Sequence, residues 1–259
     1  MKISIITPSL NQCAFLRRTM QSILSQLGDF EMQWVVVDGG STDGTVDLLR
    51  GLNDSRVSWA SEPDGGQAAA VNKGLTRADG QIIGWLNSDD LYLPGALDEV
   101  ARVFAGRPEA QWVVGQCGIV DLQGHEIRAG VTRYKNRSLH KYSYRNLLRE
   151  NMISQPAVFW RKGFIQRVGV LDETLHYSMD YDLWLRMGKL SEPVRVEREL
   201  AKFRIHDQSK SGRVNRGQFD EQYRVAGRYF GPDWVSRLVH RANVEKIVWA
   251  YRAMRVAGW

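Results

Sequence analysis

Two adjacent carboxylates, Asp89 and Asp90, close the run Trp85-Leu86-Asn87-Ser88-Asp89-Asp90. Side by side they repel one another unless a cation or a donor sits between them. Carboxylate oxygens suit Mg2+ and Mn2+, and Mg2+ takes one or two protein carboxylates and fills its shell with substrate phosphates and water. The same pair also suits a turn or a helix cap. Asp38 ends the apolar run Val35-Val36-Val37 and precedes Gly39-Gly40-Ser41-Thr42-Asp43-Gly44. There it can accept a hydrogen bond from a base or ribose, with glycines allowing close backbone approach, or it can close an Asp-Gly turn. Asp180 and Asp182 flank Tyr181 where a helix begins; acids there are helix-dipole partners, or one of them is a general base. His206, in Arg204-Ile205-His206-Asp207, is a packing histidine or the completion of a metal site.

The elements that must position these residues alternate along the chain. Ile3–Thr7, Gln33–Asp38, Arg56–Ala60 and Gln81–Leu86 read as short buried strands. Between them, helices are predicted over Ala14–Gln26, from the cap residues Ser41-Thr42-Asp43 through Leu49, and over Gln67–Arg77; Pro94-Gly95 opens another to Phe104. Such alternation implies an α/β fold with a mostly parallel sheet flanked by helices, whose ligands bind beyond the carboxyl ends of the strands. Asp38 and Asn87–Asp90 both fall at such ends. Further on, Gln111–Val120 and Glu126–Thr132 read as a hairpin about Gln123-Gly124, Gln155–Trp160 as a strand and Tyr181–Lys189 as a helix. From Leu238 a helical stripe runs through Val244, Ile247, Val248, Tyr251 and Met254.

Of the 259 residues 43% are hydrophobic and 25% charged, ordinary for a soluble enzyme, and the two cysteines, Cys13 and Cys117, have no metal-like spacing. Two reduced thiols fit a cytoplasmic protein. The N-terminus is broken by Pro8, and no apolar stretch approaches the ~18–20 residues that span a bilayer. The net charge of +6 is unevenly placed: seven cations stand against Glu150 between Arg128 and Glu150, a stretch that suggests a mobile flap. Basic surface attracts phosphate of any origin. No nucleic-acid-binding motif is present, and the cluster of Asp38, Asp89 and Asp90 would repel phosphates without a metal, so nucleic acid is not an expected partner.

Taken in order, Thr7-Pro8-Ser9, Val37-Asp38-Gly39-Gly40-Ser41-Thr42-Asp43-Gly44, Trp85 to Asp90, Met179-Asp180-Tyr181-Asp182-Leu183-Trp184-Leu185-Arg186 and Arg204-Ile205-His206 resemble the family 2 glycosyltransferases, over about Lys2 to Ser211. The resemblance implies a GT-A (Rossmann-like) domain over 1–211, with a nucleotide-binding half over about 1–110 and an acceptor-binding half over 111–211, followed by a helical extension over 212–259. It implies an inverting transfer of a hexosyl or N-acetylhexosaminyl group from a nucleotide sugar, a UDP-sugar by expectation, to a glycan or lipid-linked saccharide in cell-envelope polysaccharide synthesis. Thr7, Pro8 and Ser9 would line the base pocket, Asp38 would hold the base, and Asn72, Lys73, Asn87, Ser88 and Asp89 would meet ribose or phosphate. Asp89, Asp90 and His206 would hold Mn2+ or Mg2+, and Asp180 would be the general base. Three positions depart from the family pattern: Asn87 replaces an acid, Met179 a glutamate, and Val71 an arginine whose phosphate contact Lys73 can replace. The tail is either a terminal helix packed on the core or, with Trp249 and Trp259 beside its cations, a peripheral contact with an anionic membrane at the cytoplasmic face. The rivals are a nucleotidyltransferase, which lacks its Gly-rich phosphate loop here, and a non-catalytic nucleotide-sugar binder.

Overall fold

The computed structural model describes residues 1–207, 209 and 216–256, the last seven of these by backbone alone. Four parallel strands, β1 (Lys2–Ser9), β2 (Glu31–Asp38), β3 (Val57–Ser61) and β4 (Ile82–Trp85), form one half of an eight-stranded sheet. The other half holds β5 (Leu91–Tyr92), β6 (Trp112–Val120), β7 (Val158–Arg161) and β8 (Val194–Arg204). The order is β3-β2-β1-β4-β7-β6-β8-β5; β7 runs antiparallel to β4 and β6, and β8 runs parallel to β6.

Both faces of the sheet are covered, so its central strands are apolar throughout instead of alternating with polar residues. The period of two assigns neighbours to opposite cores. Ile6, Val35, Val37, Ile83, Trp85, Val114 and Trp160 enter one core, and Ile3, Ile5, Trp34, Val36, Ile82, Val113 and Phe159 the other. Helices α1 (Cys13–Leu24) and α4 (Ala96–Gly106) supply the second core, through Leu16, Ile23, Leu97, Val100 and Phe104. Helices α3 (Gln67–Arg77) and α8 (Met179–Leu190) supply the first. α3 lies so close on β1 that a Cβ at Gly74 would strike Ile6, which requires glycine there.

The first half follows the sequence expectation, except that α2 (Thr45–Arg50) takes Gly44 as its N-cap, with Asp43 accepting from Thr45 just ahead of it. The second half departs from it. Glu126–Thr132 is not a strand: only an isolated bridge joins Val120 to Glu126, and α5 (Ala129–His140) begins three residues later. The basic stretch is not a patternless flap but α5 and α6 (Tyr144–Arg149), with Leu139, Leu147 and Leu148 in the core. Helix α7 (Lys162–Val168) leads toward α8, and the chain closes with α9 (Arg216–Gly227) and α10 (Trp234–Val256). Val244 and Val248 are buried and Ile247 half-buried against Phe219, so this part of the tail's stripe packs inward and is not offered to a membrane. Trp249 is exposed; the side chains of Tyr251 and Met254, and all of Trp259, lie outside the described residues. No described helix is long and apolar enough to cross a membrane.

Candidate active site

The loops after β1 and β2 meet at the carboxyl edge of the sheet, where Ser9 pairs in register with Asp38. Thr7 is buried and its hydroxyl accepts the Trp34 indole N–H at 2.9 Å, so it braces the strands from within. Pro8 is also buried. Ser9 is buried with its hydroxyl unpartnered, an orphaned polar group of the kind a ligand satisfies. Asp38 is fully buried: Oδ2 accepts from Gly40 N at 3.1 Å, Ser41 N at 2.9 Å and Ser61 Oγ at 2.6 Å, while Oδ1 accepts from Ser41 Oγ. Four donors thus converge on it, three on Oδ2 and one on Oδ1, which keeps one lone pair. Asn11, in the left-handed region at φ 53°, ties the two loops by accepting Thr42 N–H at 2.9 Å.

At the end of β4, Asn87 is saturated. Its Oδ1 accepts from Gln67 and from the Trp85 indole at 2.7 and 2.9 Å, and its Nδ2 donates to Asp90 and Gln155 at 3.2 and 3.0 Å. An amide has two donors and an oxygen with two lone pairs, so the expected ribose contact has no free group on Asn87. Ser88 is buried, its hydroxyl 3.5 Å from Gln12. Asp90 is also withdrawn: fully buried, it accepts from Arg204 N at 2.9 Å and from Asn87. Burial and then the charge of Asp89 push its carboxyl well above the usual carboxylate range, against the opposing bonds from Arg204 and Asn87. Its geometry is that of an internal brace, not of the metal ligand expected from its place in the sequence.

Asp89 is less deeply buried, its side chain 14% exposed. Its Oδ2 lies 3.1 Å from His206 Nε2, and the ring of Phe15 stacks on His206 with centroids 4.4 Å apart. Buried Arg204 donates to the backbone oxygens of Asp89, Asp121 and Leu122 and so locks β8 to this loop. Two ligands at right angles on a six-coordinate cation with ~2.1 Å bonds stand about 3 Å apart, so this carboxylate–imidazole pair fits a divalent ion. Among the described residues no three His, Cys, Asp or Glu side chains converge as a metal cluster. The remaining ligands would therefore be water and diphosphate oxygens.

Asp180 is half-buried in the first turn of α8 and accepts the N–H of Tyr181 at 2.7 Å. Asp182, its rival as base, is buried with Arg186 at 2.9 Å and the Tyr229 hydroxyl at 2.8 Å, a structural ion pair. Lys135 of α5 stands near Cys117 of β6 and near Asp180. Burial, aided by Asp90, pushes the Cys117 thiol up to about 12, and Lys135 opposes that shift. Lys135, whose own pKa is lowered by burial, in turn feels Cys117, Asp180 and Glu150. Asn72 and Lys73 sit on α3. Asn72 exchanges hydrogen bonds with Leu171 at 3.0 Å and Lys73 pairs with Glu62 at 3.1 Å, so Asn72 is engaged in packing and Lys73 keeps an exchangeable surface partner.

Sequence reading missed Phe15, Gln67, Lys135, Gln155 and Arg204. Gly65-Gly66 before Gln67 and the Gln155-Pro156 step were usable signals, because Gly66 takes a left-handed turn at φ 106° and Pro156 opens a short helical turn.

An α/β sheet of this order, with bracing loops and a carboxylate–imidazole pair gathered at its carboxyl edge, has the GT-A fold of nucleotide-sugar-dependent glycosyltransferases. The chain belongs to glycosyl transferase family 2, whose model matches residues 4–169. It is 28% identical over 204 residues to an uncharacterised glycosyltransferase of Mycobacterium tuberculosis, covering 78% of this chain and 74% of the relative. To one of Rickettsia typhi it is 26% identical, covering 79% of this chain and 64% of that relative. Staphylococcus aureus TarS residues 1–349 in complex with UDP-GlcNAc share the fold at TM-score 0.68 and 16% identity, covering 87% of this chain and 65% of that one. The Pyrobaculum calidifontis mannosyltransferase PcManGT, in complex with GDP-Man and Mn2+, does so at TM-score 0.66 and 15% identity, over 98% and 80%.

Proposed function

We propose that this family 2 glycosyltransferase transfers a sugar from a UDP-sugar, with inversion, to a hydroxyl of a glycan or lipid-linked saccharide. The observation that carries the reading is the Asp89–His206 pair at 3.1 Å, in which Asp89 keeps a 14% exposed side chain where Asp90 is fully buried. A divalent cation held there supplies positive charge where the leaving diphosphate becomes more negative. The two neighbours that bind UDP-GlcNAc, or GDP-Man with Mn2+, support a nucleotide-sugar donor of this kind. The remaining Oδ1 lone pair of Asp38 suits the N3–H of uracil, and Ser9 Oγ offers a second polar contact nearby.

Asp180 takes the proton of the acceptor hydroxyl as its oxygen bonds to the anomeric carbon, while the nucleoside diphosphate departs from the opposite face. In-line displacement inverts the anomeric configuration. A base in this role contributes about 10²–10⁴-fold. The burial of Asp182 against Arg186 and Tyr229 favours Asp180 over its neighbour. The test is a panel of UDP-, dTDP- and GDP-sugars scored by thermal shift with Mn2+ and with EDTA. A UDP-sugar should raise the melting temperature by mass action only with Mn2+. Preference for GDP-sugars would overturn the donor reading.

A further inference from the structure

Helix α8, which carries Asp180, has no cap of its own: Ser178 occupies the N-cap position with no side-chain bond to the helix. The backbone N–H groups just ahead of it are taken by a carboxylate 43 residues on. Glu221, in α9, is 5% exposed, and it accepts from His176 N at 3.2 Å, Tyr177 N at 2.7 Å and Ser178 N at 2.7 Å. Three consecutive amides converge on one buried anion, two on Oε1 and one on Oε2. A charge so buried must be fully hydrogen-bonded, and these three bonds meet that need with backbone that ends two residues before Asp180.

The anion is itself held in place. Val225 and Ala226 of α9 lie in the core, the Tyr229 hydroxyl donates to Asp182, and Arg228 bridges Asp172 at 2.9 Å and Asp182 at 3.5 Å. Glu221 is therefore the contact through which α9 sets the approach to α8, and Arg228 and Tyr229 fix the turn that follows Asp180.

We propose that Glu221 is a positioning residue for the reaction: it fixes residues 176–178 and thereby sets where Asp180 meets the acceptor hydroxyl. This rests on the reading of Asp180 as the base. A displacement of about 1 Å at a reacting group can cost 10²-fold, so Glu221→Ala should lower the transfer rate by ~10–100-fold. The affinity for UDP with Mn2+ should stay within about twofold, since the hydrogen bonds of Glu221 go to residues 176–178 and not to the loops of Asp38 or Asp89. Glu221→Gln, which keeps an oxygen for Tyr177 and Ser178, should recover most of the rate.

The experiment is a double-mutant cycle on the full chain: wild type, Glu221→Ala, Asp180→Asn and the double variant. Each is assayed for nucleoside diphosphate release from the sugar donor selected by the thermal-shift panel, and for UDP binding by calorimetry. Positioning through Asp180 predicts a large loss from Glu221→Ala in the wild-type background and none beyond about twofold in the Asp180→Asn background. Equal losses in both backgrounds, or loss of UDP affinity in parallel with rate, would show a structural role and overturn the proposal. So would full activity of Glu221→Ala. If Asp180→Asn alone keeps wild-type turnover, the base reading fails, and that single arm reports it separately. Should Glu221→Ala not fold, Glu221→Gln and Glu221→Asp carry the same cycle, the latter retracting the charge by one methylene.

Discussion

Replacing Asp38 separates its two roles. The carboxylate accepts two backbone N–H groups and two hydroxyls in a fully buried position. Asp38→Ala would leave all four without their acceptor. The two serine hydroxyls can rotate to other partners, whereas the amides of Gly40 and Ser41 are fixed by their backbone. Each unsatisfied buried amide costs about 1–3 kcal/mol, and part of that is relieved where loop and solvent relax, so roughly 2–4 kcal/mol is expected in all. In a domain of this size 1 kcal/mol moves the melting temperature by about 2–4 °C, which sets the expected fall at roughly 5–15 °C. Asp38→Asn can keep the oxygen that serves Gly40, Ser41 and Ser61 and turn its amide toward Ser41 Oγ, which can accept. Its cost should stay near 1 kcal/mol. Where Asp38→Ala loses stability and nucleotide together, Asp38→Asn should remain folded and still lose UDP affinity, because an N–H replaces the acceptor on the Oδ1 side. Thermal melting and UDP titration with Mn2+ measure both. An Asp38→Ala protein melting within 1–2 °C of wild type, an interval of well under 1 kcal/mol, would refute the hydrogen-bond accounting. Unchanged UDP affinity in Asp38→Asn would refute the base contact.

Asp180→Asn should reduce sugar transfer by at least ~10²-fold with donor binding intact, measured as turnover against UDP affinity. His240 is buried among Tyr181, Tyr223 and Phe230, and its Nδ1 lies 2.7 Å from the Leu148 carbonyl, so Nδ1 carries a proton. Burial lowers its pKa below the ordinary 6.5, although the bond to Leu148 opposes the shift. The unfolded chain therefore binds the proton first as the pH falls, and the stability His240 contributes is complete above pH 6.5 and declines below it. His240→Phe should flatten this acid limb in melting curves taken from pH 7.5 to 5. Tyr229→Phe removes one bond to buried Asp182 and should cost about 1 kcal/mol in denaturant unfolding, with UDP binding unaltered.

The first half of the fold was legible because β1, β2 and β4 are buried on both faces and α1, α3 and α4 each have an apolar stripe, so length and punctuation sufficed. β8 was not read, although Val194, Val196 and Leu200 mark its inner face, because Arg195, Glu197, Arg198 and Glu199 break the apolar run and the register shifts near Gln116. α5 was mistaken for a strand in its first turn because its inward face carries Thr132, Lys135, Asn136 and Leu139, with a single strongly apolar residue among them. At the site, residue types and order pointed to Asp89, Asp90 and His206 alike and could not separate Asp89 from Asp90, since it is the pairing of Asp90 with Arg204, 114 residues away, that holds Asp90 in the interior. Asn87 and Asn72 looked available for a nucleotide for the same reason. Their partners Gln155 and Leu171 lie 68 and 99 residues further along.

The most direct test of the account is calorimetric titration of UDP into wild type, Asp89→Asn and His206→Gln, each with Mn2+ and with EDTA. The account predicts saturable binding by wild type only when Mn2+ is present. It predicts at least about tenfold weaker Mn2+-dependent binding in both variants, the range seen when groups supporting a bound metal are lost. UDP binding by wild type that is equally tight in EDTA, or unaltered in Asp89→Asn, would contradict it.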